Sequence, residues 1–186
     1  MNNAQDTPNG SKLCMECALC CDGSLFVKAH LFKDEMMSSR SLGLKVHTHG
    51  DGVAFYQPCP LLKQNGCTRY GDPERPKVCG KFRCKLLESY LTGVVDLESA
   101  LQTVHSTRSL LADLQKSSPF GRDQHVTYNG IRLMTAYLSS LAAEERAPYR
   151  KYLDQIAQYM RLVNRDFISI KTSEDDEIAE TEMKTN

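Results

Sequence analysis

The sequence predicts an α+β protein in which an irregular cysteine-rich subdomain with a short β-hairpin packs against about four α-helices. Three observations lead to this prediction. All eight cysteines lie between Cys14 and Cys84, and residues 85–186 contain none. Turn-forming residues are concentrated in the same first part, whereas apolar residues at helical spacing are concentrated in the second. A length of 186 residues suits one domain, or one domain with an appended subdomain.

Composition and charge narrow the classes of function. With 41% hydrophobic residues, 25% charged residues and a formal net charge of zero, the chain has no bulk attraction to nucleic acid or anionic lipid. The first residues are polar and no run of 18 apolar residues occurs, so neither a secretory signal nor a membrane span is predicted. We therefore expect a cytoplasmic protein. In that reducing compartment clustered cysteines serve as metal ligands or redox groups more often than as disulfides.

Four segments are expected along the chain. Residues 1–12 are polar and are predicted to be disordered, and residues 13–86 form the metal-binding region. Residues 87–168 form the helical region. Residues 169–186 are predicted to be an acidic disordered tail, because residues 172–186 contain six acidic side chains and one lysine.

Short extended segments are predicted within the cysteine-rich region. Ser24–His30 alternates partly, and Lys45–His49 is separated from Val53–Gln57 by a Gly-Asp-Gly turn sequence. The last two segments are expected to pair as a β-hairpin. His47 and His49 would then face one side of a strand, either as additional metal ligands or, more commonly, as exposed strand surface.

Helical patterns dominate after Pro76. The first helix is expected over Lys81–Leu91, ended by Gly93, and the second over Leu97–Lys116, with Asp96 as its N-cap. A third covers about Gly130–Glu144, and a fourth runs from near Pro148 to about Phe167. The second helix carries a clear apolar stripe, which consists of Leu97, Leu101, Val104, Leu111 and Leu114.

The spacing of the cysteines is the strongest functional signal. Two-residue spacers let a tight turn bring two thiolates onto one metal, and three cysteines in two such spacers can supply three corners of a cubane cluster. We predict that all eight cysteines bind zinc, iron or an iron–sulfur cluster. These ligands are Cys14, Cys17, Cys20, Cys21, Cys59, Cys67, Cys79 and Cys84.

The spacing leaves two arrangements open. The eight thiols allow two Cys₄ zinc sites, and they equally allow a [4Fe–4S] cluster on Cys14, Cys17, Cys20 and a remote cysteine, with the other thiols on zinc. Adjacent side chains point apart, so Cys20 and Cys21 are not expected to share one mononuclear metal. One of them would serve a second site or be a spare thiol. Soft thiolates suit both metals.

The cysteine-rich region resembles the YkgJ-like cysteine cluster family, also called the zinc- or iron-chelating CxxCxxCC domain. The resemblance covers about residues 14–86 and rests on five landmarks in order: CMECALCC at 14–21, PCPL at 58–61, Gly66-Cys67, Tyr70, and the RPxxCxxFxC pattern at 75–84. It departs from the family pattern at Thr68, where an aliphatic residue is usual, and by one residue lost before Cys67. The resemblance implies metal binding, and a related cluster in flagellin lysine N-methylases implies a methyltransferase-like alternative.

Six basic residues between Arg69 and Lys85 allow two interpretations. They could form a nucleic-acid patch, but we favour compensation of the negative charge of a metal thiolate site. Three functions therefore remain open. They are a metal-binding module that contacts a protein partner, an enzyme with iron–sulfur redox or methyltransferase-like chemistry, and, as the least favoured, a zinc-dependent nucleic-acid-binding module. Neither the oligomeric state nor an enzymatic activity follows from the sequence.

Overall fold

The predicted β-hairpin forms two strands of a three-stranded antiparallel sheet. The structure is a computed structural model that describes residues 10–50, 52–64, 66–119 and 127–168. The strands are β1 (Lys28–Leu31), β2 (Val46–His49), β3 (Gly52–Tyr56), β4 (Leu62–Lys63) and β5 (Gly66–Cys67). Strand β3 lies between β1 and β2 in the three-stranded sheet, and a second, shorter ladder joins β4 to β5.

Helices form most of the second half of the chain. The helices are α1 (Ser11–Cys17), α2 (Met36–Ser41), α3 (Lys77–Lys81), α4 (Lys85–Leu91), α5 (Leu97–Ser117), α6 (Tyr128–Ser140), α7 (Ala143–Arg146) and α8 (Arg150–Asp166). Within the first half of the chain, α2 and α3 pack against the three-stranded sheet. Short 3₁₀ turns precede α2 and α8, at Lys33–Glu35 and Ala147–Tyr149. The α+β prediction is confirmed. No helix in the described residues has the length and hydrophobicity that a membrane crossing requires.

Two hydrophobic cores organise the described residues. The main core contains sixteen buried residues and is built largely from α5, α6 and α8. Leu13, Leu19 and Leu25 of the cysteine-rich region belong to it, so this region packs directly on the helices. The sheet core is much smaller and consists of Leu31, Leu44, Val53 and Phe55. A core of four buried side chains supplies little hydrophobic free energy by itself.

Several predicted helix ends are confirmed, and each has a physical cause. Asp96 accepts a hydrogen bond from the backbone N–H of Ser99 at 2.7 Å and so caps α5. Gly93, with φ of 75°, follows the end of α4 in the left-handed conformation that glycine adopts easily. In the apolar stripe of α5, Val104 and Leu114 are completely buried.

The prediction of one continuous helix over Lys81–Leu91 is wrong. The chain forms α3, becomes extended at Phe82, and starts again as α4 after Cys84. The Cys84 sulfur accepts a hydrogen bond from the Leu87 N–H at 3.4 Å, which satisfies one of the unpaired donors of the new helix. The predicted third helix is likewise interrupted, because α6 ends at Ser140 and α7 begins at Ala143.

The ends of the chain are described only in part. Helix α1 begins at Ser11, so the predicted disordered segment 1–12 includes two helical residues, and residues 1–9 lie outside the described residues. The predicted acidic tail, residues 169–186, also lies outside them. Leu86 and Leu87 both belong to the main core, so packing is continuous across the expected boundary between residues 86 and 87.

Replacing Tyr159 by phenylalanine is expected to destabilise the protein by about 1–2 kcal/mol. The Tyr159 side chain is fully buried, and its hydroxyl donates a hydrogen bond to the Ser24 carbonyl at 2.8 Å, which ties α8 to the cysteine-rich region. Phenylalanine would leave that carbonyl without this donor. Urea denaturation checks the loss, with Tyr56→Phe, on a ring that is 44% exposed, as the control. Equal unfolding midpoints for the two variants would contradict the role assigned to this hydrogen bond.

Candidate metal centre

The first four cysteines lie on α1 and on the turn that follows it. Cys14 and Cys17 are three residues apart on the helix and therefore share one of its faces. Ala18 then adopts a left-handed conformation with φ of 54°, which ends the helix. Its carbonyl accepts hydrogen bonds from the backbone N–H groups of Cys21, at 2.8 Å, and Asp22, at 3.0 Å. This turn brings the later part of the cysteine run back beside the first.

The other four cysteines come from separate elements. Cys59 precedes β4, and its N–H donates to the Cys21 carbonyl at 2.7 Å. Cys67 lies on β5 opposite Leu62, Cys79 lies on α3, and Cys84 is the N-cap of α4. All eight cysteines are free thiols.

All eight cysteines line a single cavity of about 300 Å³. The remaining lining is mostly apolar and includes Phe26, Phe55 and Phe82. Residues that are far apart in the sequence, such as Cys14 and Cys84, therefore face the same space. The cavity brings together every thiol that the sequence analysis selected.

The two hydrophobic cores divide most of these thiols into two groups. Cys17 is buried in the main core, and three other cysteines, Cys14, Cys20 and Cys84, pack against that core. Cys59 and Cys79 pack instead against the sheet core. Packing alone thus separates a group beside the helices from a group beside the sheet.

The charge interactions among the thiols follow the same division except between the chain neighbours Cys20 and Cys21, and they place Cys21 and Cys67 in the sheet group. Burial raises the pKa of Cys17 to about 12, and the negative charges of Cys84 and Cys14 add to the rise. Burial also raises the pKa of Cys21 to about 12, but there the contributing thiolates belong to Cys59, Cys79 and Cys67. We call the sets the helix group (Cys14, Cys17, Cys20, Cys84) and the sheet group (Cys21, Cys59, Cys67, Cys79).

Arg75 is the cationic side chain that acts on both groups. Its guanidinium lowers the pKa of Cys14 in the helix group, and of Cys21, Cys59 and Cys79 in the sheet group, against the larger effect of burial in each case. The side chain is held by a hydrogen bond to the Cys79 carbonyl and by the Tyr70 ring, whose centroid lies 4.6 Å away. Arg75 is therefore placed to offset negative charge on either group.

The other members of the basic cluster face outward or make different contacts. Arg69 pairs with Asp72 at 2.8 Å, and Lys77 pairs with Asp34 at 2.9 Å. Of the six basic residues from Arg69 to Lys85, only Arg75 lines the cavity. Compensation of thiolate charge within the cavity thus falls to one residue of the cluster.

The histidine pair considered as additional ligands lies away from the thiols. His47 is exposed on β2 and packs edge-to-face on Tyr56, with ring centroids 5.1 Å apart. It does not line the cysteine cavity. His49 is the last residue of β2, and its side chain lies outside the described residues. The position of His47 fits exposed strand surface.

The donor set has the chemistry of a metal site, but the thiols surround a space and do not converge on a point. In the described parts of the chain, no group of three or more His, Cys, Asp or Glu side chains has a ready metal-binding geometry. Each group nevertheless supplies four soft donors, the number that a tetrahedral zinc ion or a cubane cluster takes. Binding at Zn–S distances of about 2.3 Å requires the side chains to turn inward.

A comparison with protein-family models matches residues 13–109 to the CxxCxxCC family, described as a "Putative zinc- or iron-chelating domain". The match covers just over half of the chain. The chain belongs to the CxxCxxCC family. The match extends past the resemblance at residues 14–86 and includes the first part of α5. Searches of curated proteins and of solved structures found no match.

The structure adds Glu35 to the residues that shape this CxxCxxCC site. Its role cannot be recognised in the sequence, because Glu35 is a single carboxylate that belongs to no metal-ligand or capping sequence pattern. Its side chain is 8% exposed and accepts two backbone hydrogen bonds, from Lys77 at 2.7 Å and Phe32 at 3.1 Å. Lys77 is the first residue of α3, which carries Cys79. Glu35 therefore anchors the helix that carries Cys79.

Replacing Glu35 by alanine is expected to cost about 1–3 kcal/mol, because two backbone donors would lose their buried acceptor. We also expect a lower metal affinity of the sheet group, since the first residue of α3 would lose its hydrogen bond to Glu35. Chemical denaturation and chelator competition measure the two effects. Asp34→Ala is the matched control, because that exposed carboxylate pairs with the Lys77 ammonium and not with the Lys77 N–H, and it should leave both measurements unchanged. A control as damaging as Glu35→Ala would contradict the anchoring role.

Proposed function

We propose that the chain is a metal-binding module that holds two four-thiolate centres, one on the helix group and one on the sheet group. The single observation that carries this proposal is that all eight thiols line one cavity, where packing divides six of them between the two cores and Cys21 interacts electrostatically with Cys59, Cys67 and Cys79. Zinc or iron would be the metal, as the family description states. When bound, the metals would cross-link segments that otherwise share little hydrophobic core.

The division into two groups gives Cys20 and Cys21 separate roles. Neighbouring side chains on an extended or turn backbone point apart, so a pair of adjacent cysteines can serve two centres but rarely one mononuclear site. Cys20 packs against the main core, and the Cys21 carbonyl accepts a hydrogen bond from Cys59 of the sheet group. These contacts support Cys21 as a ligand of the second centre, and they argue against a spare thiol.

The role of the module would be to present a metal-stabilised surface to a protein partner. The exposed side chains beside the cavity, which include Lys81, Phe82 and Arg83, support such a role. The free state of all eight thiols suits a reducing compartment such as the cytoplasm. An iron–sulfur redox activity would need a cluster on one of the two groups, and a methyltransferase-like activity would need, in addition, a substrate pocket beside the metal-filled cavity.

Metal and sulfide analysis tests this proposal. The protein is purified without oxygen, and zinc, iron and acid-labile sulfide are measured per chain. Two zinc ions without sulfide, or about four iron and four sulfide with one zinc, would each support two four-thiolate centres. The first result would favour a structural module, and the second would favour electron transfer. A single zinc ion, or no metal at all, would overturn the proposal.

A further inference from the structure

We propose that the acidic C-terminal segment of this chain, residues 174–182, docks on the basic face formed by Lys77, Lys81 and Arg83 beside the cysteine cavity. This intramolecular contact goes beyond metal binding.

The basic face combines exposed cations with a partly exposed aromatic ring. Residues 75–87 contain five basic side chains and no acidic one. Lys77, Lys81 and Arg83 are exposed, and the ammonium groups of Lys77 and Lys81 lie 5.2 and 5.1 Å from the centroid of the Phe32 ring. Asp34 and Glu88 offset this positive charge only in part, through ion pairs with Lys77 and Arg83. A polyanion would therefore be attracted to this face.

The C-terminal segment has the complementary charge. Residues 174–182 carry six acidic side chains and no basic one, within nine residues. The segment also contains Ile178, which could contact the Phe82 ring, since that side chain is 41% exposed. No other segment of the chain has so many acidic residues in so short a length. Charge complementarity thus points to this segment as the occupant.

The exit point of the chain brings the segment to the basic face. Phe167 is buried, and its carbonyl accepts a hydrogen bond from the Lys85 N–H at 3.2 Å. The Lys85 ammonium group also donates to the Asn164 carbonyl at 2.8 Å. The end of α8 is therefore fixed against the start of α4, only two residues after Arg83. The acidic segment begins a short distance further along the chain.

The length of the connection is sufficient. Lys81 precedes Lys85 by four residues, so their Cα atoms are at most about 15 Å apart. Glu174 follows Ile168 by six positions, and this length of chain can span about 20 Å. A tether of this length gives an effective concentration on the order of millimolar. Several individually weak contacts can therefore add up within one molecule, although salt would screen them.

The basic face lies beside the cysteine cavity, because Phe82 stands between Lys81 and Arg83 in the sequence. The Phe82 ring packs edge-to-face on Phe26, with centroids 5.1 Å apart, and both rings line the cavity.

Carbodiimide cross-linking of the full metal-loaded chain tests the proposal, because this reagent joins carboxylates only to amines in direct contact. We expect cross-links from residues 174–182 to Lys77 and Lys81 at about 50 mM salt, and a several-fold loss at about 500 mM. The exposed lysines Lys116 and Lys151 are internal controls. Equal yields at the controls would overturn the proposal. Mixing light and heavy nitrogen-labelled protein separates contacts within one chain from contacts between two, and mixed-label products as the main species would overturn the intramolecular form.

A binding measurement provides the second test, with heparin as a polyanionic probe. A chain that ends after Ile168, and a full-length variant with all six acids changed to their amides, should each bind heparin about fivefold or more tightly than the original chain at low salt. Lys81→Gln with Arg83→Gln should abolish this gain, whereas Lys116→Gln with Lys151→Gln should not. Unchanged heparin affinity in both tail variants would overturn the proposal. Metal content is measured on the same variants. A change in heparin affinity at unchanged metal content reports on the tail and not on the two metal centres.

Discussion

Replacing Cys17 by serine is expected to remove the metal of the helix group while leaving the metal of the sheet group in place. Cys17 is 9% exposed and lies in the main core, so its replacement leaves the helix group with three of its four thiols in a buried position. We expect metal content to fall by one centre, together with a loss of about 4 kcal/mol in the free energy of unfolding. Metal analysis and denaturation in a reducing buffer measure the two changes.

The matched variant is Cys67→Ser, which removes one ligand of the sheet group. It should lose the other metal and retain the one bound by the helix group. Cys17→Ala controls for the burial of a serine hydroxyl in an apolar position. If Cys17→Ser and Cys67→Ser each lost all of the metal, the eight thiols would form one joint centre. Full metal content in Cys17→Ser would remove Cys17 from the ligand set.

Removal of both metals is expected to unfold the sheet and its surroundings while most of the helical part stays folded. The sheet core has four buried residues, whereas the main core has sixteen. Strands β1–β3 and helix α3 therefore depend on the thiolate cross-links far more than α5 and α8 do. Hydrogen exchange after chelation, in the presence of a reductant, should show loss of protection over residues 28–81 and retained protection in α5.

Circular dichroism of the same samples provides a control, since most of the helical signal should survive chelation. Restoring zinc should restore protection in the sheet. Exchange that rises equally in α5 and β3 would contradict the prediction and would mean that the metals hold the entire chain together. Unchanged exchange in β3 would mean that its fold does not need the metals.

The features that could be predicted from the sequence are those set by local patterns. A Gly-Asp-Gly sequence between two alternating segments predicts the hairpin of β2 and β3, and an aspartate before a long amphipathic stripe predicts the start of α5. Cysteines confined to one part of the chain predict that they share a site, and all eight do line one cavity. Their role as metal ligands stays a prediction until the metal is measured.

The features that the sequence could not reveal depend on contacts between distant residues. The break between α3 and α4 arises because Cys84 acts as an N-cap through its sulfur, a role that propensity does not assign to cysteine. From their spacing alone, Cys79 and Cys84 are equally suited to share a metal with the cysteines of residues 14–21. Only packing separates them, because Cys79 lies against the sheet core and Cys84 against the main core.

The separation of Cys20 from Cys21 also bears on the order in which the proposed centres can assemble. Every ligand of the sheet group lies between Cys20 and Cys84 of the helix group, so the chain segment closed by one centre is nested inside the segment closed by the other. Once the inner ligands are joined, the outer loop is effectively shorter and the entropy lost in closing it is smaller. Filling of the sheet group should therefore favour filling of the helix group, and partially loaded protein should carry its metal mainly on the inner set.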